Sequence, residues 1–269
     1  MERKSMSILH LHKMKSHFIA GQPVQYSLEA DGVSLALNPL LGKMVKLSFQ
    51  GVIHCVACGR KTAKSYQQGY CFPCTQKLAQ CDLCIVKPEL CHFAKGTCRE
   101  PEWATSHCMI PHVVYLANSS GLKVGITRAH QKLTRWVDQG AVQAKAIAGV
   151  KTRLQAGLIE SFLKQDYADR TDWRAMLKGP AEAIDLDELS EEILGSLPLT
   201  LAHEALDEPA VSIEYPVLAY PSKVTSLSLE KKPLVEGTLL GIKGQYWILD
   251  IGVLNIRSQS GYQVELAHL

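Results

Sequence analysis

The sequence predicts an α+β protein of several modules: a zinc-ribbon-like cysteine module, an α/β domain and a small all-β unit at the carboxy terminus. Three observations predict it. All nine cysteines fall between Cys55 and Cys108. Beyond them, two short apolar strands are followed by two stretches of helical periodicity. Residues 211–269 are short runs of Ile, Leu, Val, Tyr and Trp punctuated by glycine, the spacing of a small barrel or curled sheet. A length of 269 residues leaves room for two or three compact units, and 46% hydrophobic with 20% charged content excludes a disordered or fibrous chain.

Residues 1–53 read as a β-rich segment. VQYSLEADGVSLAL carries an Asp31-Gly32 turn between short alternating stretches, and Lys43–Phe49 alternates again. The basic residues 1–18 lack the unbroken apolar stretch of a secretory signal, and no run approaches the roughly 18 apolar residues of a membrane span. A cytoplasmic protein with reduced thiols, and no membrane partner, is expected.

Residues 54–110 form the cysteine module, rich in turn formers and short of periodic segments, so metal rather than an apolar core must fold it. In residues 111–178, His112–Ala117 and Leu122–Thr127 are strands joined by the turn formers Asn118 to Gly121. A helix over His130–Gln139 follows, with Leu133, Trp136 and Val137 on its buried face and Gly140 as its stop. A second helix over Val150–Tyr167 would bury Leu154, Leu158, Phe162 and Leu163. Residues 179–210 read as an acidic helical connector broken at Pro180 and Pro198, and residues 211–269 as the small β unit.

The cysteine spacing carries the strongest chemistry. Cys55-x2-Cys58, twelve residues, then Cys71-x2-Cys74 is the separation a four-thiolate zinc site needs. A second structural zinc is expected on Cys81, Cys84, Cys91 and Cys98, with Cys108 as alternative ligand and His92 and His107 nearby. An odd cysteine count fits metal ligation with a spare thiol better than a disulfide framework. A thioredoxin-like redox site needs one C-x2-C pair at a strand-to-helix junction, and three pairs this close speak against it.

Charge is unevenly spread. Residues 179–222 hold ten acidic residues and neither Lys nor Arg, so all 29 basic residues face only the 16 acidic ones elsewhere. Residues 111–178 alone carry 11 basic and 5 acidic residues, a surface that attracts polyanions. Lys123, Arg128, Lys132 and Arg135 are the candidate nucleic-acid contacts. Tyr246, Trp247, Asn255 and Arg257 offer base-stacking groups in the terminal β unit, although aromatics at strand spacing are more often core. His10, His12, His17 and His203 have no spacing that suggests a site, and GxSxG, HExxH and phosphate-loop patterns are absent.

Val113-Val114-Tyr115, Val124-Gly125-Ile126-Thr127, Arg135 on the next helix and Glu160 on the one after resemble the GIY-YIG nuclease superfamily. The resemblance implies a GIY-YIG-like α/β domain with Tyr115 at the first tyrosine, Val124 and Gly125 at the Ile-Gly, Arg135 neutralising developing charge and Glu160 holding a divalent ion, Mg2+ or Mn2+. It implies attack of activated water on a phosphodiester. Lys123 stands at the second tyrosine, where it holds phosphate as a point charge but cannot do a phenol's work, and the family's late asparagine has no counterpart. The phrases CGRKT…QGYC, CDLC…PELCHF, GTCREPEW…HC, VYLANSSGLKVGITR, RWVDQGA and GIKGQYWIL also resemble an uncharacterised bacterial family with a two-zinc cysteine module. That likeness implies the architecture and no activity.

The sequence thus points to a zinc-stabilised binder of DNA or RNA, with Tyr115, Lys123, Arg135 and Glu160 as catalytic candidates if it is also a divalent-metal-dependent endonuclease. Binding without cleavage fits the departures better. The alternative is a zinc-folded scaffold whose partner is a protein.

Overall fold

The computed structural model describes residues 4–30 and 32–268. The chain divides into two compact units, one of Met1–Thr75, Leu177–Gly179 and Glu214–Leu269, the other of Gln76–Met176 and Pro180–Ile213. Among the described residues no helix is long and apolar enough to cross a membrane.

In the first unit Met44–His54 is the central strand of an eight-stranded sheet. It pairs antiparallel with Leu234–Lys243 on one side and Tyr262–His268 on the other. Val45 and Leu47 are buried while Lys46 between them is exposed, the period of a strand with one wet face. Lys4–His10 extends the sheet beyond Tyr262–His268, and Tyr246–Leu249, Gly252–Asn255 and Ser226–Leu227 extend it beyond Leu234–Lys243. Strands that the sequence places in separate amino- and carboxy-terminal segments therefore share one ladder, and the terminal β strands do not close on themselves. Trp247 is fully buried and its indole N–H donates to Met14 Sδ at 3.2 Å, so it serves the core and is closed to a stacked base. A three-stranded meander of Lys15–His17, Gln25–Ala30 and Val33–Ala36 completes the unit. Asp31 lies outside the described residues; Ala30 and Val33 pair on either side of its turn, and Gly32 has φ +80°.

The second unit is built on strand β1 (His112–Asn118), which lies between β2 (Leu122–Arg128) and β3 (Gln143–Val150), all antiparallel. The sequence reading has no strand over 143–150. AVQAKAIAGV lacks alternation because β3 is buried on both faces along most of its length. Between β2 and β3 runs helix α1 (Lys132–Asp138), ended by Gly140 at φ +70°. Helix α2 (Arg153–Leu163) starts in a capping box in which Thr152 and Gln155 satisfy each other's backbone N–H. A third helix, α3 (Leu186–Ser196), is capped by Asp185, which accepts from the N–H groups of Asp187 and Glu188. Val114, Leu116, Val124, Ile126 and Ile147 pack against Ala156, Ile159 and Leu163 of α2 and Leu186 and Ile193 of α3.

Two helix faces differ from expectation. Leu133 is 39% exposed, and Leu158, expected inside, is 42% exposed. The reason for α2 is Gly157. A Cβ there would meet Pro88 Cβ at 2.5 Å and the Glu89 backbone N at 2.8 Å, so the helix approaches the turn Pro88–Leu90 backbone to backbone. That seat turns Ala156, Ile159 and Leu163 to the core and brings Glu160 inward with them.

Because the contact is with backbone, it has little room to relax. Gly157→Ala is expected to destabilise the protein by about 1–3 kcal/mol through overpacking. Urea unfolding should show a lower midpoint at unchanged slope. A midpoint equal to or above the parent's would mean that α2 is not seated there.

Candidate functional site

The first cysteine group is assembled by local turns. Cys55 follows the central strand Met44–His54, and the chain doubles back so that Cys55 N–H donates to Arg60 O and Gly59 N–H to Cys55 O, both at 2.9 Å. Gly59 permits this at φ +69°. Cys71 then precedes the helix Phe72–Lys77, whose first turn carries Cys74. The sulfurs of Cys55, Cys58, Cys71 and Cys74 all lie within 4.8 Å of one another. Cys58 Sγ and Cys71 Sγ are 3.7 Å apart. Two sulfurs bound at about 2.3 Å to one tetrahedral ion stand about 3.8 Å apart, so the group can hold a metal, and four thiols favour zinc.

Its electrostatics fit. Burial opposes ionisation of Cys55, but the backbone N–H donors of Cys58, Cys71 and Ala57 outweigh it and bring the thiol down to about 6. Burial and hydrogen bonds from Cys71, Cys58 and Cys55 push Cys74 up to about 12. The last proton thus resists leaving unless a cation takes its place.

The other five cysteines lie in the second unit. Cys84, Cys91, Cys98 and Cys108 line one small cavity with Asp82, His92 and Trp103. Cys81 is buried but does not line it. Ligand atoms of Asp82, Cys84 and His92 also lie within 4.8 Å of one another. Burial pushes the Cys84 thiol up to about 12 and raises that of Cys108.

Next to these turns the second unit gathers charge. Tyr115 on β1 is fully buried and its hydroxyl donates to Gln139 Oε1 at 2.7 Å, with Arg135 also hydrogen-bonded to it. Its ring covers Gly125, where a Cβ would meet the hydroxyl at 2.6 Å. Burial first, and the charge of Glu160 besides, raise the phenol, so it stays protonated at neutral pH. Lys123 on β2 is 2% exposed and lowered to about 8, chiefly by burial and then by Arg135, with Asp169 and Glu160 opposing. Its ammonium has no hydrogen bond or ion pair among the described residues. Glu160 is buried, which raises its carboxyl, and it pairs with Lys164 at 3.4 Å. Lys164 pairs equally with Asp169. Arg153 acts on both Glu160 and Cys108, and the Nε atoms of Arg135 and Arg153 are buried without a partner.

Of the residues singled out from the sequence, Tyr115 and Lys123 therefore each feel the charges of Arg135 and Glu160. Lys132 is engaged elsewhere, by Glu208, and Lys145 by Asp187, so the acidic segment neutralises part of the basic surface within its own unit. Arg128 faces Cys108. Arg153, Lys164, Asp169 and Gln139 were missed. Only Arg153 had a signal, as a cation directly after a helix N-cap, where the helix dipole disfavours positive charge.

Residues 42–264 match the family model described as "Protein of unknown function (DUF2797)", so the chain belongs to that family. No curated protein and no solved structure matches it.

Protein purified without chelator is expected to carry zinc, and Cys71→Ser to lose one ion per chain by mass spectrometry. Because Cys55 titrates below its ordinary 9.0, its thiolate contributes stability that is complete above that value and lost as pH falls through about 6. Zinc should be released on acidification and retained on alkalinisation; the opposite order would refute thiolate ligation.

Proposed function

We propose that this chain is a zinc-stabilised nucleic-acid-binding protein that holds a backbone phosphate at Lys123, Arg135 and Arg153. The carrying observation is a cluster of cations with unmet donors: the buried Lys123 has no hydrogen bond or ion pair among the described residues, and the buried Nε atoms of the half-buried Arg135 and Arg153 have no partner. Burying a charge unpaired is costly, and an anion supplied by a ligand removes that cost. The likeness of Tyr115, Val124, Gly125, Arg135 and Glu160 to the GIY-YIG nuclease superfamily supports a phosphodiester as that ligand, as does the excess of basic residues over 111–178.

Binding rather than cleavage is the form we favour. Tyr115 is sealed from solvent with its proton held against ionisation, so it is a poor base. The Glu160 carboxylate is paired with Lys164 and feels the charges of Arg153 and Lys123, with Arg135 beside these two. An Mg2+ or Mn2+ ion there would face four cations against two carboxylates, Glu160 and Asp169, which disfavours a divalent ion. Zinc at Cys55, Cys58, Cys71 and Cys74, and a second ion among the cysteines of residues 76–110, serve structure in this reading.

One observation favours a protein partner instead. Leu83, Val86 and Leu90 on the second cysteine segment are 58%, 72% and 50% exposed. Partners captured by the chain that persist after nuclease treatment would favour this scaffold reading.

Fluorescence anisotropy with labelled DNA and RNA tests the proposal. Affinity should fall steeply with salt, and Lys123→Met should weaken it several-fold and lower the salt slope by about 1, while the exposed Lys151→Ala costs less. Affinity absent at low salt, or the same for Lys123→Met as for the parent, would reject it. Nicking that needs Mg2+ or Mn2+ and disappears in Glu160→Gln would replace binding by catalysis.

A further inference from the structure

The segment Gln76–Ile110 of the second unit lacks the means to hold itself by apolar packing. It is a series of single turns, Ala79–Cys81, Leu83–Ile85, Pro88–Leu90 and Phe93–Lys95, followed by the short helix Pro101–His107. Its large aliphatics Leu83, Val86 and Leu90 point outward. What turns inward is sulfur. Cys84, Cys91, Cys98 and Cys108, one from each successive stretch, converge on a cavity of about 10 Å³. That space suits a single ion.

We infer that Cys84, Cys91, Cys98 and Cys108 hold one metal ion, and that this centre fixes helix α2 and with it Arg153 and Glu160. Asp82 and His92 compete for the ion, since their ligand atoms and that of Cys84 lie within 4.8 Å of one another and His92 Nε2 stands 3.6 Å from Asp82 Oδ2. Asp82 receives Arg99 Nε at 2.6 Å and the Cys84 N–H at 3.2 Å, and His92 Nδ1 lies 2.8 Å from Thr97 Oγ1. The Asp82 carboxylate is thus occupied and orients Cys84, and the four sulfurs that line the cavity outnumber the one imidazole. Four thiolates around a dication leave a charge of −2, and Arg128 and Arg153 face Cys108 to offset it. Cys81 stays a buried thiol outside the shell.

The link to α2 is direct. Arg153 N–H donates to Cys108 O at 2.8 Å and its Nη2 to Ile85 O at 2.6 Å. One turn on, Gly157 rests on Pro88 and Glu89, between Cys84 and Cys91 in sequence. The first turn of the helix is therefore tied to the loops that the ion closes. This part rests on the phosphate-site reading only for its consequence in binding, since the metal and the helix are measured separately.

Three measurements test it. Cadmium-113 NMR of the cadmium-loaded full chain should give two resonances, both in the tetrathiolate range. Metal analysis should show two ions per chain in the parent and in Cys81→Ala, and one in Cys98→Ser and in Cys108→Ser. Hydrogen exchange of the Arg153–Leu163 amides should be at least tenfold faster in Cys98→Ser. A single ion in the parent, a second resonance shifted to a mixed nitrogen, oxygen and sulfur shell, or an ion lost in Cys81→Ala would overturn the ligand set, and the NMR result decides even where a variant fails to fold. Unchanged exchange in a Cys98→Ser protein that has lost its ion would overturn the coupling. Neither outcome depends on nucleic-acid binding, so failure of the phosphate site is separately visible.

Discussion

The contact of Gly157 with the backbone of Pro88 and Glu89 is the constraint on which the second unit depends. A helix that comes this close to a turn has one allowed rotation. That rotation buries Ala156, Ile159 and Leu163 against β1, β2 and β3, and exposes Leu158. It also carries Glu160 inward, a carboxylate that a free amphipathic helix would leave in water. Part of the charge that gathers beside Tyr115 follows from this seat, because Arg153 and Glu160 ride on the helix it fixes, while Lys123 comes from β2 and Arg135 from α1.

Burial and charge then act together. Lys123, Arg135, Arg153 and Lys164 are held near only two carboxylates, Glu160 and Asp169, with Lys123 buried and the other three half-buried. Low local dielectric magnifies that imbalance. The fold relieves it partly by pairing Lys164 with both acids, and leaves the Nε atoms of Arg135 and Arg153 without a partner. Elsewhere in the same unit the balance is internal: Glu208 and Asp187 from the acidic stretch engage Lys132 and Lys145. Net charge along the sequence therefore overstates the basic surface open to a polyanion.

Much of this was legible beforehand. The Cys55, Cys58, Cys71 and Cys74 group was, because two C-x2-C turns bring thiols together by local geometry alone. The strand pair His112–Asn118 and Leu122–Arg128 was, since short apolar runs about turn formers leave few alternatives. Strand Gln143–Val150 was not, because a strand buried on both faces shows no period-two pattern. Nor was Asp169, which reaches the site only because the chain after α2 passes along β2, with Ala168 accepting from Val124 N–H at 2.8 Å.

The sequence by itself determined part of each site: the Cys55, Cys58, Cys71 and Cys74 group, the strand that carries Tyr115 and the helices that carry Arg135 and Glu160. Those are properties of spacing and local periodicity, and they act over a few residues. Tertiary structure alone decided which thiols share a cavity, which face of α2 is buried, and that the strands near the two ends of the chain form one sheet. Such choices are made by packing between segments far apart in sequence, where one close backbone contact outweighs the local pattern.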